Sequence, residues 1–304
     1  MHGASAADQA GLGAPRTESF SGQPAATVQR RGSQRRVLWI GDVDGDELSI
    51  ARESLQRLAD CTVIRPSGAA DANGDAGSPP DCVLLVADRP GRWNAEQALA
   101  IRRRWPLAPI FAIATSLGDG RRRSGPPLPG IEEIPWHDAA GRLACWFADL
   151  DAGLPGSLGL ASTVRREDRL LDAPVFQPRP RFRTLLPPVT LSARTTVELD
   201  GLADLVIAAG HPVEARSIGR PELAPPSRLV VWDACRLESA DLEWVRLLVA
   251  NRPGVGVVIL DSFPRGDSCR AALQAGAAAV LGRPVSLEAL VGTLRGLGPR
   301  AAAV

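Results

Sequence analysis

Residues Gly256 to Leu297 read GVVILDSFPRGDSCRAALQAGAAAVLGRPVSLEALVGTLRGL, and the order of segments within them decides the fold. Val255 to Leu260 is apolar and β-branched almost throughout, which predicts a parallel strand covered on both faces. A short polar loop follows, then a small-residue helix ending at Gly276, a second short apolar run at Val280-Leu281, and Arg283-Pro284. The final segment carries Leu287, Leu290, Val291, Leu294 and Leu297 at helical spacing, with Ser286 placed to cap its N-terminus. The order is strand, helix, strand, helix, and the last helix is expected to bury one stripe against a sheet.

This stretch resembles the C-terminal part of a response-regulator receiver domain, in which a helix ending in Ala-Gly-Ala leads into the last strand and then Lys-Pro. The matching residues are Ala275-Gly276-Ala277, Val280-Leu281 and Arg283-Pro284, with arginine in the place of lysine. The resemblance implies a CheY-like fold and a signalling context.

Working outward, the chain of 304 residues is long enough for two domains, each burying its own core. The net charge of +1 implies no strongly charged partner, and neither nucleic acid nor membrane is expected as one. There is no lysine, so all 35 basic residues are arginine and no step needing a lysine amine is open to this chain. Arginine, alanine, glycine and proline are abundant, as GC-rich coding would produce. The five cysteines are widely spaced without a CxxC pair, which suggests buried thiols rather than a disulfide framework or zinc module. No apolar h-region and no run of membrane-spanning length occurs, so a cytoplasmic location is expected.

Residues 1 to 34 have almost no large apolar residues and read as a disordered leader. A first domain is expected over 35–151. It has strands at Val37 to Ile40, Cys61 to Arg65, Cys82 to Val86, Ile110 to Ala114 and Ile131 to Ile134. A helix over Glu47 to Leu58 has Asp44 as its expected N-cap and Leu48, Ala51, Leu55 and Leu58 on one face. A second helix, capped by Asn94 with Gln97 at the capping-box position, runs to Arg104. The last, from Ala139, places Leu143, Trp146, Phe147 and Leu150 inward. Residues 152–187 are rich in Gly and Pro and read as a linker, with Val175, Phe176 and Phe182 able to dock on a neighbouring domain. The pattern restarts over 188–298. Val189 to Ala193 is a strand, and Val197, Leu199, Leu202, Val206 and Ile207 are the apolar positions of a helix ended by Gly210-His211. Arg228 to Trp232 is a strand running into Asp233, and Asp241 to Ala250 is a helix. Residues 299–304 form a tail. The fold class expected is α/β: two flavodoxin-like, CheY-like doubly wound parallel five-stranded sheets joined by a Pro/Gly-rich linker.

In such sheets the functional crevice lies at the carboxyl ends of the strands. In receivers, an acidic pair after the first strand helps hold Mg2+, the third strand ends in the phosphorylated Asp, the fourth in Thr or Ser, and the fifth in Lys. In the second copy the resemblance places the acidic pair on Ala193-Arg194, neither of which binds a cation. Asp233 stands at the phosphoacceptor position, Asp261 at the hydroxyl position with Ser262 one place later, and Arg283 at the lysine. Arg194 or Arg283 could pair directly with Asp233 or Asp261 to give a closed charge cluster. The other possibility is a working phosphoacceptor at Asp233, which alone would call for Mg2+; no other cofactor or resident metal is expected. In the first copy the acidic pair reads Gly41-Asp42, Val86 takes the phosphoacceptor position with Asp88 two residues later, Thr115 or Ser116 supplies a hydroxyl, and His137 lies near the lysine position. Asp42, Asp44, Asp46 and Glu53 have calcium-loop spacing, but Glu47 stands where glycine is needed.

The function expected is therefore a phosphorelay-type signalling protein of two degenerate receiver-like domains. It is not expected to be an enzyme or, with no helix-turn-helix fitting after Leu297, to carry an output domain, and it would act on a protein partner or a second copy through the 277–297 face. A C-terminal domain still phosphorylated on Asp233 is the first alternative. A small α/β enzyme or nucleotide binder is the second, without a nucleophile-base pair or phosphate loop to support it.

Overall fold

The computed structural model describes residues 35–65, 79–118, 128, 130–153 and 186–298. The leader, the tail, residues 66–78, 119–127 and 129, and linker residues 154–185 with Val175, Phe176 and Phe182 lie outside the described residues.

Two five-stranded, all-parallel sheets account for the described chain. The first is built from β1 (Arg35–Ile40), β2 (Ala59–Ile64), β3 (Cys82–Ala87), β4 (Ile110–Ala114) and β5 (Glu132–Pro135), in the order β2-β1-β3-β4-β5. Its helices are α1 (Asp46–Gln56), α2 (Ala95–Arg104) and α3 (Ala139–Asp151). The second comprises β6 (Val189–Ala193), β7 (Val213–Ile218), β8 (Leu229–Cys235), β9 (Gly256–Asp261) and β10 (Ala279–Gly282), in the order β10-β9-β8-β6-β7. Its helices are α4 (Thr196–Ala208), α5 (Ser239–Asn251), α6 (Gly266–Gln274) and α7 (Leu287–Leu297). Numbered within each domain, both sheets have the doubly wound order 2-1-3-4-5, the flavodoxin and CheY order, with its switch point between the first and third strands.

The central strands are buried throughout because helices cover both faces, as in β3 and β4 with every residue buried. Edge strand β7 alternates half-buried and exposed positions instead, and its polar VEARSI sequence carries no strand signal of the same strength. No helix bridges β7 and β8. The connection is held onto α5 by Arg220 Nε donating to Asp241 Oδ1 (2.8 Å), Trp244 Nε1 donating to the Pro221 carbonyl (2.8 Å), and Arg252 donating to the Pro226 carbonyl (2.6 Å).

Caps were legible in part. The Asn94–Gln97 box forms in both directions, at 2.8 and 3.0 Å, and Ser286 Oγ accepts from the Ala289 N–H. Asp44 is not the cap of α1: Gly45 occupies that position, and the Asp44 carboxylate accepts from Arg65 across the loop. Four expected inward positions are also exposed, namely Leu58, Leu150, Val197 and Ile207; Leu199, Leu202, Ala203 and Val206 form the buried face of α4. His211 is a buried residue rather than a plain turn residue. Its Nδ1 bonds the Pro187 carbonyl at 2.8 Å, and burial pushes its titration below the ordinary histidine value.

The two domains share packing. One cluster of buried side chains runs from Trp39, Phe111 and Trp146 of the first to Trp232, Val245 and Ile259 of the second. The last helices lie on each other. Cys145 of α3 packs with Leu287 and Val291 of α7, and a Cβ on Gly292 would overlap the carbonyl of Gly141. Helix α7 thus buries two faces rather than one stripe, with Leu290 and Leu294 on its own sheet and Leu287 and Val291 toward α3. Gly141 also faces Ala289, and Gly292 faces the Cys145 backbone nitrogen one turn on, so the two helices advance past each other in the same direction. A second contact joins the N-terminal turns of α1 and α6, where Gly266 abuts Asp46 and Glu47 and Arg270 donates to Ser49 Oγ at 2.7 Å.

Candidate functional site

The crevice of the second domain is built by the ends of β6, β8, β9 and β10 and the first turn of α4. Asp233 and Asp261 end two adjacent central strands and are both buried. The backbone turns sharply beyond Asp233, with a register shift against β9 and Cys235 at φ 62°. That turn delivers the Cys235 N–H to Asp233 Oδ1 at 3.1 Å, and the corresponding turn after β9 delivers the Phe263 N–H to Asp261 Oδ1 at 3.0 Å.

Of the pairings open from sequence, the structure forms Arg283 with Asp233: Nη1 lies 3.1 Å from Oδ1. Arg283 also donates to Glu198 Oε1, at 3.3 Å from Nη1 and 3.4 Å from Nη2. Arg194 is exposed beside the crevice and acts on Asp233 through its field. Ala193 is fully buried, and exposed Ser262 places its Oγ 3.4 Å from Cys235 Sγ.

Glu198 is the crevice residue that sequence reasoning missed. It reaches the site because α4 starts directly after β6. A signal was present in Thr195-x-x-Glu198, a capping box in which Glu198 N–H donates to Thr195 Oγ1 at 3.2 Å. That role accounts for a glutamate here without any site, which is why it drew no notice.

Burial pushes the Asp233 carboxyl above the ordinary aspartate value, and the neighbouring Glu198 carboxylate adds to this. Arg283, the Cys235 N–H and Arg194 act in the opposite direction without cancelling it. The nearby Cys269 thiol is pushed up to about 12 by burial, reinforced by the charges of Asp261, Glu47 and Asp267, so it is an inert packing group.

These residues do not fit a divalent cation. Ala193 and Arg194 replace its expected ligands, and Arg283 already stands between the Asp233 and Glu198 carboxylates. Among the described residues no group of three or more His, Cys, Asp or Glu side chains is gathered to hold a metal.

The first domain closes its crevice differently. Val86 is buried against Gly41, whose φ is 133°; a Cβ at Gly41 would lie 2.5 Å from Val86 Cβ. Asp42 is exposed and accepts from the Asp44 N–H at 3.0 Å. Asp88 faces Arg92, at 3.6 Å, and its carbonyl accepts from Thr115 Oγ1 at 2.8 Å. Ser116 donates through both N–H (2.7 Å) and Oγ (2.6 Å) to Glu47 in the first turn of α1. His137 leaves the first crevice for the second domain: the Gly282 N–H points at its Nδ1, 3.2 Å away, with Asp138 Oδ1 3.0 Å from the same nitrogen. In both domains, therefore, a glutamate from the first helical turn is drawn into the crevice and bound by the domain's own residues.

No protein-family model matches the chain. No curated protein matches it either. Among solved structures it is similar to a protein named for pilus assembly from Burkholderia pseudomallei, at 22% identity and TM-score 0.34 over 37% of this chain and 89% of that one. A response regulator receiver domain protein from Clostridium thermocellum is 17% identical, with TM-score 0.31 over 37% and 94%. A CheY-like receiver domain protein from Methanospirillum hungatei is 18% identical, with TM-score 0.31 over 36% and 92%.

Proposed function

We propose that this chain is a cytoplasmic signal-transduction protein of the two-component type, in which two receiver-like domains with self-occupied crevices act by protein–protein interaction rather than by phosphoryl transfer. The observation that carries the reading is Arg283 bridging Asp233 and Glu198. A phosphoryl donor approaching Asp233 needs a cation to offset the charge it brings. Here the fixed cation is neutralised by two carboxylates, and the positions that would recruit a metal are Ala193 and Arg194. In the first domain Val86 offers no oxygen to phosphorylate.

The 277–297 face remains the interaction face of this reading, and its occupant in the structure is α3 of the first domain. An outside partner or a second copy using that face would have to displace α3. No enzymatic activity and no nucleic-acid partner are proposed.

Incubation with Mg2+ and a small phosphodonor such as acetyl phosphate, followed by intact-mass measurement, tests the proposal. The expected result is an unchanged mass. An adduct that disappears in Asp233→Asn would replace this reading with a working phosphoacceptor.

A further inference from the structure

Gly282 and Arg283 are consecutive residues at the end of β10, and between them they touch both the crevice and the domain junction. The Arg283 guanidinium is held by carboxylates from two elements, Asp233 of β8 at 3.1 Å and Glu198 of α4 at 3.3 and 3.4 Å. The Arg283 backbone N–H donates to the Asp261 carbonyl at 2.9 Å. On the other side, the Gly282 N–H points at His137 Nδ1 of the first domain, and a Cβ on Gly282 would overlap the imidazole ring. Four residues beyond Arg283, α7 begins and carries the contact with α3.

We infer that Arg283 is a latch: its hold on Asp233 and Glu198 keeps the two domains paired through α3 and α7, and its release loosens that pairing. The two carboxylates fix a planar fork against different elements, so the end of β10 is located by side-chain charge as well as by the sheet. With both charges gone, the part-buried guanidinium has lost both of its ion-pair partners, and it turns toward water. The backbone that must follow is packed against His137 without free space, so the shift passes into the junction instead of being absorbed. The coupling is internal to the chain and does not depend on what the crevice binds.

Cys145 is a built-in reporter, being 1% exposed between α3 and α7 and packed on Leu287 and Val291. The full-length wild type and the Glu198→Gln/Asp233→Asn double variant are treated with iodoacetamide, and alkylation at each cysteine is followed by peptide mass. Cys82, fully buried in the first sheet, serves as the control for general unfolding. The expected result is a rise of about tenfold or more in Cys145 labelling with Cys82 unchanged, as for a local opening. Glu198→Gln alone, which leaves Asp233 as a partner, should fall between the two and serves as the reading if the double variant does not fold. Unchanged Cys145 labelling overturns the latch. A parallel rise at Cys145 and Cys82 overturns it as well, since that marks global destabilisation.

Discussion

Asp233 sits where burial and ion pairing oppose each other, and the balance has a measurable sign. Its carboxyl is raised in the folded protein, burial outweighing the attraction of Arg283. The fold therefore favours the protonated form, so ionised Asp233 lowers stability above its folded value. That penalty fades as pH falls through the folded value toward the ordinary one of about 3.9. Asp233→Asn, the neutral isostere, is expected to unfold at the same or a higher urea midpoint than wild type at pH 7, with the difference closing toward about pH 4. A variant less stable by more than about 1 kcal/mol at pH 7 would mean that the Arg283 pair outweighs the burial cost. At this scale, Arg283 and Asp233 were legible because each holds a position next to a strong pattern, Arg-Pro after one strand and an Asp after another. Glu198, Gly41 facing Val86, and the turn of His137 toward Gly282 were not, because each depends on a neighbour far away in sequence.

Among the elements, α7 departs furthest from its sequence pattern. Leu287, Leu290, Val291, Leu294 and Leu297 read as one stripe, and the structure divides them between a sheet and a second helix. The glycines allow this: Gly141 and Gly292 bring the α3 and α7 backbones close enough that either Cβ would strike the backbone of the opposite helix. Gly292→Ala is predicted to cost about 2 kcal/mol or more by overpacking, despite the better helix propensity of alanine. Urea denaturation measures this, and a stability equal to wild type would show that the helices separate without cost. Elements with strong local signals, such as the apolar run of β4 and the capping box of α2, matched their expected bounds. Strand β7 was implied by the five-stranded expectation but not located, because an edge strand with one wet side carries half of the apolar signal of a central one.

Across the whole molecule, one buried cluster contains side chains of both domains, which couples their unfolding. Five of the seven tryptophans, Trp39, Trp93, Trp105, Trp136 and Trp146, lie in the first domain, so fluorescence reports mainly on that half while far-UV circular dichroism reports on both. Urea curves from the two probes are predicted to coincide, with a single transition. A separate, earlier step in either probe would show that the domains unfold independently. The alternation of strands and helices could be read from one dimension, because buried strands, helix stripes and turn residues write local, periodic patterns, while the strand order and the loss of the acidic pair followed from the resemblance to receiver domains. Which cation meets which carboxylate, and that the last helix of each domain is the other's partner, came only from the tertiary structure. Both depend on side chains from distant segments converging within a few ångströms, and no local pattern in the chain encodes that distance.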